Sequence, residues 1–204
     1  MFSGIVESTS RILEATPRGA VVQLIVEKPS EFNDLSIGDS IATDGICLTL
    51  EEQTSTTMRF ALGPETLKVT GWDTTGVLNK VVNLELSLRM GDRIHGHLVT
   101  GHVDSQGTIV DIERQEGSQV MKIAFPDTIR PFIWPKGSIT VNGVSLTINQ
   151  VTTQHFSVGL IPETLKRTNL GLLSKGQSVN LEVDNNARGL VHWLRQQEPL
   201  RSPK

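Results

Sequence analysis

Leu62-Gly63-Pro64-Glu65-Thr66-Leu67-Lys68-Val69-Thr70 returns 98 residues later as Leu160-Ile161-Pro162-Glu163-Thr164-Leu165-Lys166-Arg167-Thr168, identical at seven of nine positions. The likeness spreads outward from this stretch. Asp44-Gly45-Ile46-Cys47-Leu48-Thr49-Leu50 is matched by Asn142-Gly143-Val144-Ser145-Leu146-Thr147-Ile148 at the same offset. Ser3-Gly4-Ile5-Val6-Glu7-Ser8 is matched by Thr100-Gly101-His102-Val103-Asp104-Ser105, and Val82-Asn83-Leu84-Glu85 by Val179-Asn180-Leu181-Glu182, both at an offset of 97. Four blocks in one order mean that a whole domain is duplicated. The period is too long for a solenoid, whose repeats run roughly 20 to 50 residues, so each copy buries its own core.

A chain of 204 residues holds two such units comfortably. Ala20-Val21-Val22-Gln23-Leu24-Ile25-Val26, Ile139-Thr140-Val141 and Phe156-Ser157-Val158-Gly159-Leu160 are short, rich in β-branched residues and bounded by turn residues, which is the pattern of strands. Short strands leave exposed edges unless the sheet closes. The expected fold is therefore all-β, with two tandem homologous six-stranded antiparallel Greek-key barrels, at residues 1–90 and 91–184. Short helical segments are expected near Pro29-Ser30-Glu31-Phe32 and Pro64-Glu65-Thr66-Leu67, and again near Pro126-Asp127-Thr128-Ile129 and Pro162-Glu163-Thr164-Leu165, where proline suits a first turn. Ser87 to Ile94 links the halves. A C-terminal helix and tail, residues 185–204, has no earlier counterpart. Ala187, Leu190, Val191 and Leu194 follow helical spacing after Asp184 or Asn185 as cap, and their apolar stripe is expected to meet sister helices in an oligomer. The tail from Gln197 is expected to fray.

The net charge of -3 provides no basic surface for nucleic acid or anionic lipid. The single cysteine fits a reducing compartment, no secretion signal is visible at the N-terminus, and the apolar runs fall far short of the roughly 20 residues that span a bilayer. A cytoplasmic protein with small-molecule partners, no nucleic acid and no membrane is expected.

Residues kept in both copies serve the fold, whereas residues that differ are candidates for chemistry. Cys47 stands opposite Ser145, His102 opposite Ile5, and Asp184 opposite Ser87. A lone cysteine is ordinarily a small packed hydrophobe. Alternation nevertheless places Cys47 and Thr49 on one strand face and Ile46 and Leu48 on the other, and the copy repeats this with Ser145 and Thr147 against Val144 and Leu146. His95, His97 and His102 form an H-x-H-x4-H run that is weakly specific for a metal site, and no carboxylate-bearing partner motif accompanies it. Gly101 admits close backbone approach beside His102. Lys136, before Gly137, is either a donor to a ligand oxygen or an ordinary surface lysine. Thr66 and Thr164 are either binding residues or turn caps, and Asp184 is ordinarily read as a helix N-cap.

Met1 to Glu7, Gly45 to Thr49, Gly96-His97-Leu98-Val99-Thr100-Gly101-His102-Val103-Asp104, Lys136 to Ile139, Gly143 to Thr147 and Leu160 to Thr164 together resemble the riboflavin synthase family of the α-subunit type. The likeness runs from Met1 to about the final helix. It implies a homotrimer joined through the C-terminal helices, with each active site between the N-terminal barrel of one subunit and the C-terminal barrel of its neighbour. It also implies a dismutation in which two molecules of 6,7-dimethyl-8-ribityllumazine exchange a four-carbon unit, giving riboflavin and 5-amino-6-ribitylamino-pyrimidinedione without metal or cofactor. Association with a lumazine synthase shell stays open. The family's binding positions fall on Gly4, Ile5, Val6, Cys47, Leu48, Thr49, Ala61, Leu62, Gly63, Pro64, Glu65 and Thr66 in the first half. In the second half they fall on Gly101, His102, Val103, Lys136, Ser145, Leu146, Thr147, Ile161, Pro162, Glu163, Thr164, Leu165 and Lys166. Ser40, Cys47, His102, Ser145, Thr147 and Asp184 match positions tied to catalysis. Ser3 stands where the family usually has Thr, His95 where Gly is common, Asp44 where Asn is common and Asn142 where Asp is common, so Asn142 is given no acid–base role.

The lumazine C7 methyl is acidic because its carbanion delocalises into the ring, which calls for a base. His102 is the candidate, with Ser145 and Thr147 relaying; Cys47 or Ser40 would supply or orient the nucleophile added to the partner lumazine. Holding two reactants in stacked register can itself replace about 7 to 11 kcal/mol of barrier. The alternatives are a lumazine or flavin carrier that has lost catalysis and a metal-dependent barrel enzyme.

Overall fold

The computed structural model describes residues 1–197. In the first half, β1 (Ser8–Arg18), β2 (Val21–Glu27), β3 (Ser40–Thr43), β4 (Ile46–Thr49), β5 (Glu52–Gln53), β6 (Thr57–Leu62) and β7 (Val81–Leu86) form one antiparallel sheet in the order β4-β3-β7-β1-β2-β6-β5. In the second half, β8 (Ser105–Gln115), β9 (Ser118–Ala124), β10 (Ser138–Val141), β11 (Val144–Val151), β12 (His155–Leu160) and β13 (Ser178–Val183) close into a barrel in the order β10-β11-β12-β9-β8-β13. The two orders are the same once β4 and β5 are read as the broken counterpart of β11, so each half is a six-stranded Greek-key unit. The break falls at Leu50 and Glu51, beyond which β5 pairs with β6.

Period-2 alternation builds both cores. Val22, Leu24 and Val26 of β2 and Met58, Phe60 and Leu62 of β6 point into the first, and Met121, Ile123, Phe156, Val158 and Leu160 into the second. Each such side chain contributes about 2 kcal/mol by leaving water.

Helix α1 (Pro64–Thr70) follows β6 and α2 (Pro162–Arg167) follows β12, each with proline in its first turn. Gly63 and Ile161 occupy the cap positions without side-chain caps, so Thr66 and Thr164 lie inside the first turns and do not cap them. Of the other two helical expectations, the first is corrected and the second holds as a 3-10 helix. Pro29 to Phe32 is a turn closed by Phe32 N–H on the Pro29 carbonyl, and its second-half counterpart is a 3-10 helix, Asp127–Phe132. In the second segment Pro131 has no N–H to extend a helical ladder.

Helix α3 (Asn185–Gln197) starts after Asp184, whose Oδ1 accepts from the Asn186 N–H at 2.9 Å. Arg188 anchors it to Asp104 at 2.9 Å, and Ala187 is buried against the barrel. Of the rest of the expected stripe, Val191 is half-buried, whereas Leu190 is 57% and Leu194 48% exposed, with Trp193 at 58%. The expected frayed tail lies, beyond Gln197, outside the described residues.

The halves meet at their matched hairpins. A Cβ on Gly45 would lie 2.7 Å from the Gly143 N, and one on Gly143 2.8 Å from the Gly45 N, so the turns stack back to back about a local twofold. Asn83 Nδ2 donates to the Asn142 carbonyl at 2.9 Å and Asn180 Nδ2 to the Asp44 carbonyl at 3.0 Å. Asn142 is thus fully engaged in structure. Asp44 breaks the symmetry by pairing with Lys80 at 2.8 Å.

Candidate active site

The segments before β1 and β8 do not stay with the halves in which they are written. The Gly4 carbonyl accepts from the Ser145 N–H at 2.7 Å, and the Gly101 carbonyl accepts from the Cys47 N–H at 2.8 Å. Val6 is buried in the second core, and Val103 packs on the first. Phe2 and Val99 pair with each other between the barrels. Each arm therefore crosses over, and the crossing depends on glycine. Gly4 and Gly101 have φ of +75° and +79°, and an added Cβ would lie 2.6 Å from Ser145 Cβ and 2.5 Å from Cys47 Cβ respectively.

This exchange brings each arm beside the polar strand of the other half. One surface combines Cys47 and Thr49 of β4, Ala61 and Gly63 to Thr66 around α1, and the arm Gly101, His102 and Val103. The other combines Ser145 and Thr147 of β11, Ile161 to Lys166 around α2, Lys136, and the arm Gly4, Ile5 and Val6. Cys47 and Ser145 are half-buried and Thr49 and Thr147 exposed, as the alternation requires, whereas Leu48, Leu62 and Leu146 point into the cores and can offer a ligand only backbone. Ser40 pairs with Thr49 across β3 and β4 and lies on the Cys47 face. It also borders an open cleft of roughly 800 Å³, with Ile5, Glu85, Arg89 and His95 on the walls.

His97 was visible in sequence only as part of a histidine run. Its Nδ1 lies 2.8 Å from Ser145 Oγ. Burial holds its pKa below the ordinary histidine value, and the negative charge of Asp184 partly opposes that. Neutral His97 can thus accept the Ser145 proton, and Asp184 stabilises the imidazolium that results. Gly96 makes the approach possible: a Cβ there would fall 2.1 Å from the Ser3 carbonyl and 2.7 Å from Ser145 Oγ. His102 is exposed on its arm, on the Cys47 surface, so the three histidines do not converge, and among the described residues no group of three His, Cys, Asp or Glu is placed to hold a metal. Asp184 serves both as N-cap of α3 and as the charge beside His97.

Lys136 adopts φ +70° where the first half has Gly38 at φ +97°. A lysine in this region costs about 1 to 2 kcal/mol relative to glycine, and such strain gathers at functional positions. The lysine is exposed beside β10.

Known proteins resemble this chain in sequence and in fold. The lumazine binding domain model matches residues 3–87 and again 100–184. Riboflavin synthase of Photobacterium phosphoreum is 36% identical over 200 residues, covering 98% of this chain and 91% of that protein. The chain belongs to the riboflavin synthase family. The riboflavin synthases of Actinobacillus pleuropneumoniae and Escherichia coli are 34% and 35% identical, over 100% and 94% of this chain and 94% and 90% of theirs. The chain is accordingly a transferase-type enzyme with a twofold lumazine-binding repeat. Among solved structures, LumP complexed with riboflavin shares the fold at a TM-score of 0.83 and 23% identity, covering 91% of this chain and 100% of that one.

Proposed function

We propose that this chain converts two molecules of 6,7-dimethyl-8-ribityllumazine into riboflavin and 5-amino-6-ribitylamino-pyrimidinedione by transfer of a four-carbon unit. The observation that carries the reading is the pairing of two matched lumazine-binding surfaces that differ at the reacting positions, Cys47 on one and hydrogen-bonded Ser145–His97 on the other. The C7 methyl of one lumazine loses a proton, and its carbanion attacks the partner lumazine, which carries an added nucleophile. The 2.8 Å contact and the nearby Asp184 charge favour Ser145–His97 over the exposed His102 as first proton acceptor. Cys47 and Ser40 face the partner lumazine, and His102 lies beside them to move a proton. Atoms and electrons balance without an oxidant: two new carbon–carbon bonds to the acceptor replace the two carbon–nitrogen bonds that held the four carbons to the donor ring, the freed nitrogens take up protons to give the diamine product, and the added nucleophile leaves.

A homotrimer with sites between the first barrel of one subunit and the second of the next belongs to the same proposal, supported by the uncovered Leu190, Trp193 and Leu194 of α3. So do the division at residues 90 and 184, residence in the cytoplasm, and independence of metal and cofactor. The purified protein with the lumazine alone is expected to give one riboflavin per two substrates consumed; no product, or loss of activity on adding a chelator, would sink the reading. A lumazine or flavin carrier is the second reading, favoured by the LumP likeness in fold. Tight lumazine binding without turnover would establish it.

A further inference from the structure

Glu85 of β7 and Glu182 of β13 occupy matched positions, and both are buried, at 5% and 2% exposure. Both lie on the strand face opposite the core side chains Val82, Leu84, Leu181 and Val183. A buried carboxylate needs partners, and among the described residues neither has a basic one. Each is held instead by one arm. Glu85 accepts from Ser3 N–H at 2.6 Å, Ser3 Oγ at 2.9 Å and Gly4 N–H at 3.0 Å. Glu182 accepts from Thr100 N–H at 2.8 Å, Thr100 Oγ1 at 2.5 Å and Gly101 N–H at 3.0 Å. Three donors on one carboxylate make a strong, directional grip, because charge-assisted bonds are about twice as strong as neutral ones.

The consequence lies in the next residue. Gly4, held by Glu85 of the first barrel, passes its carbonyl to Ser145 of the second; Gly101, held by Glu182 of the second, passes its carbonyl to Cys47 of the first. We infer that Glu85 and Glu182 are positioning residues, each rooted in one barrel and setting the arm that walls the binding surface of the other. Glu182 thereby sets His102 and Val103 against Cys47, and Glu85 sets Ile5 against Ser145. The duplication has made the two surfaces mutually dependent: a change in one barrel's final strand is felt on the opposite surface. Ser3 and Thr100, one a departure from the family's usual threonine, supply the same hydroxyl to each grip.

This inference rests on reading the Cys47 and Ser145 faces as the two lumazine surfaces, but its test needs no lumazine. Cys47 is the single cysteine of the chain, so its alkylation rate reports on the first surface alone. In the full-length protein, Glu182→Gln is expected to raise the iodoacetamide rate at Cys47 at least fivefold, although the substitution lies in the second barrel. Glu85→Gln, in the same barrel as Cys47, should leave that rate within twofold. A general loosening would give the reverse ranking, since each variant would disturb its own barrel more. Thr100→Val removes one bond of the grip and keeps both carboxylates; it should raise the rate about twofold and decides the matter should Glu182→Gln not fold. Glu182→Asp, which retains the charge, should recover part of the protection. Equal rates in all variants, or a larger effect from Glu85→Gln, would overturn the inference. Absence of riboflavin formation with this pattern intact would overturn only the proposed reaction.

Discussion

The Cys47 surface and the Ser145 surface are built on matched strands, β4 and β11, yet among the described residues only the second presents a hydrogen-bonded base. On the first, Cys47 faces the backbone of the Gly101 arm and exposed His102 lies nearby. On the second, Ser145 lies against both the Gly4 arm and His97, with Asp184 behind. On the proposed reaction, duplication supplies two like seats for two like molecules, and divergence at a few side chains lets one occupant lose a proton and the other receive the attack. Identical barrels would treat both substrates alike, which a reaction between donor and acceptor does not permit.

The largest expected break in this contrast comes from the base. His97→Ala should lower kcat by about 10² to 10⁴-fold, the usual range for a lost general base. Cys47→Ser, which makes the surfaces alike at that position, should stay within about tenfold because stacking of the reactants carries much of the acceleration. Single-turnover kinetics on both variants check this, and a larger loss from Cys47→Ser would invert the assignment of roles.

A smaller but still severe effect belongs to the crossing arms. Gly101→Ala adds a Cβ 2.5 Å from Cys47 Cβ at φ +79°, and should cost about 3 kcal/mol in a urea melt through strain and overpacking. Gly38→Ala, also at positive φ but with nothing within 4 Å of the added Cβ, should cost only the strain, about 1 to 2 kcal/mol.

Lys136→Gly should move stability and function in opposite directions. Relief of the strain at φ +70° should raise stability by about 1 kcal/mol, and loss of the ammonium should weaken lumazine binding. Calorimetric melts and lumazine titrations check the two halves of that statement separately.

The smallest effect is a pH dependence. Burial lowers the His97 pKa from 6.5, so the unfolded chain takes up a proton first as pH falls. His97 therefore subtracts stability as pH drops below about 6.5, toward its lower folded value. Glu85 and Glu182, with pKa values raised from 4.5 chiefly by burial, act in the opposite sense: they destabilise the fold above their raised values and cease to do so as pH falls toward 4.5. Comparing urea melts of the wild type and His97→Gln between pH 5.5 and 7.5 isolates the histidine part, which should vanish in the variant. In activity, the same lowering should place the acid limb of kcat/KM below that of an ordinary histidine.

Much of this molecule was legible before any fold was drawn. The recurrence of Pro-Glu-Thr-Leu-Lys and the alternation around Cys47 and Ser145 needed only sequence, because β-strand sidedness has a period of two and copies preserve it. Asp184 as helix cap was equally readable. His97 was not: it entered as one of three spaced histidines, and the partner that matters, Ser145, is 48 residues away. Gly96 gave the nearest signal, since a glycine next to a histidine marks a place where backbone must come close. Glu85 and Glu182 were seen as repeat markers only, although a glutamate kept in the Val-Asn-Leu-Glu stretch of both copies already asked for partners.

The amino-acid order by itself determined the duplication, the all-β barrels, the polar strand faces and the apolar stripe of the last helix, because each depends on local periodicity or on comparing one half with the other. Only the tertiary structure decided which arm serves which barrel. Within a repeat, contacts made inside a half and contacts exchanged between halves involve the same residue pairs by type, so Gly4 with Ser145 and Gly4 with Cys47 read alike on the page. Space separates them, through a crossing of the two arms that glycine permits and two buried carboxylates hold.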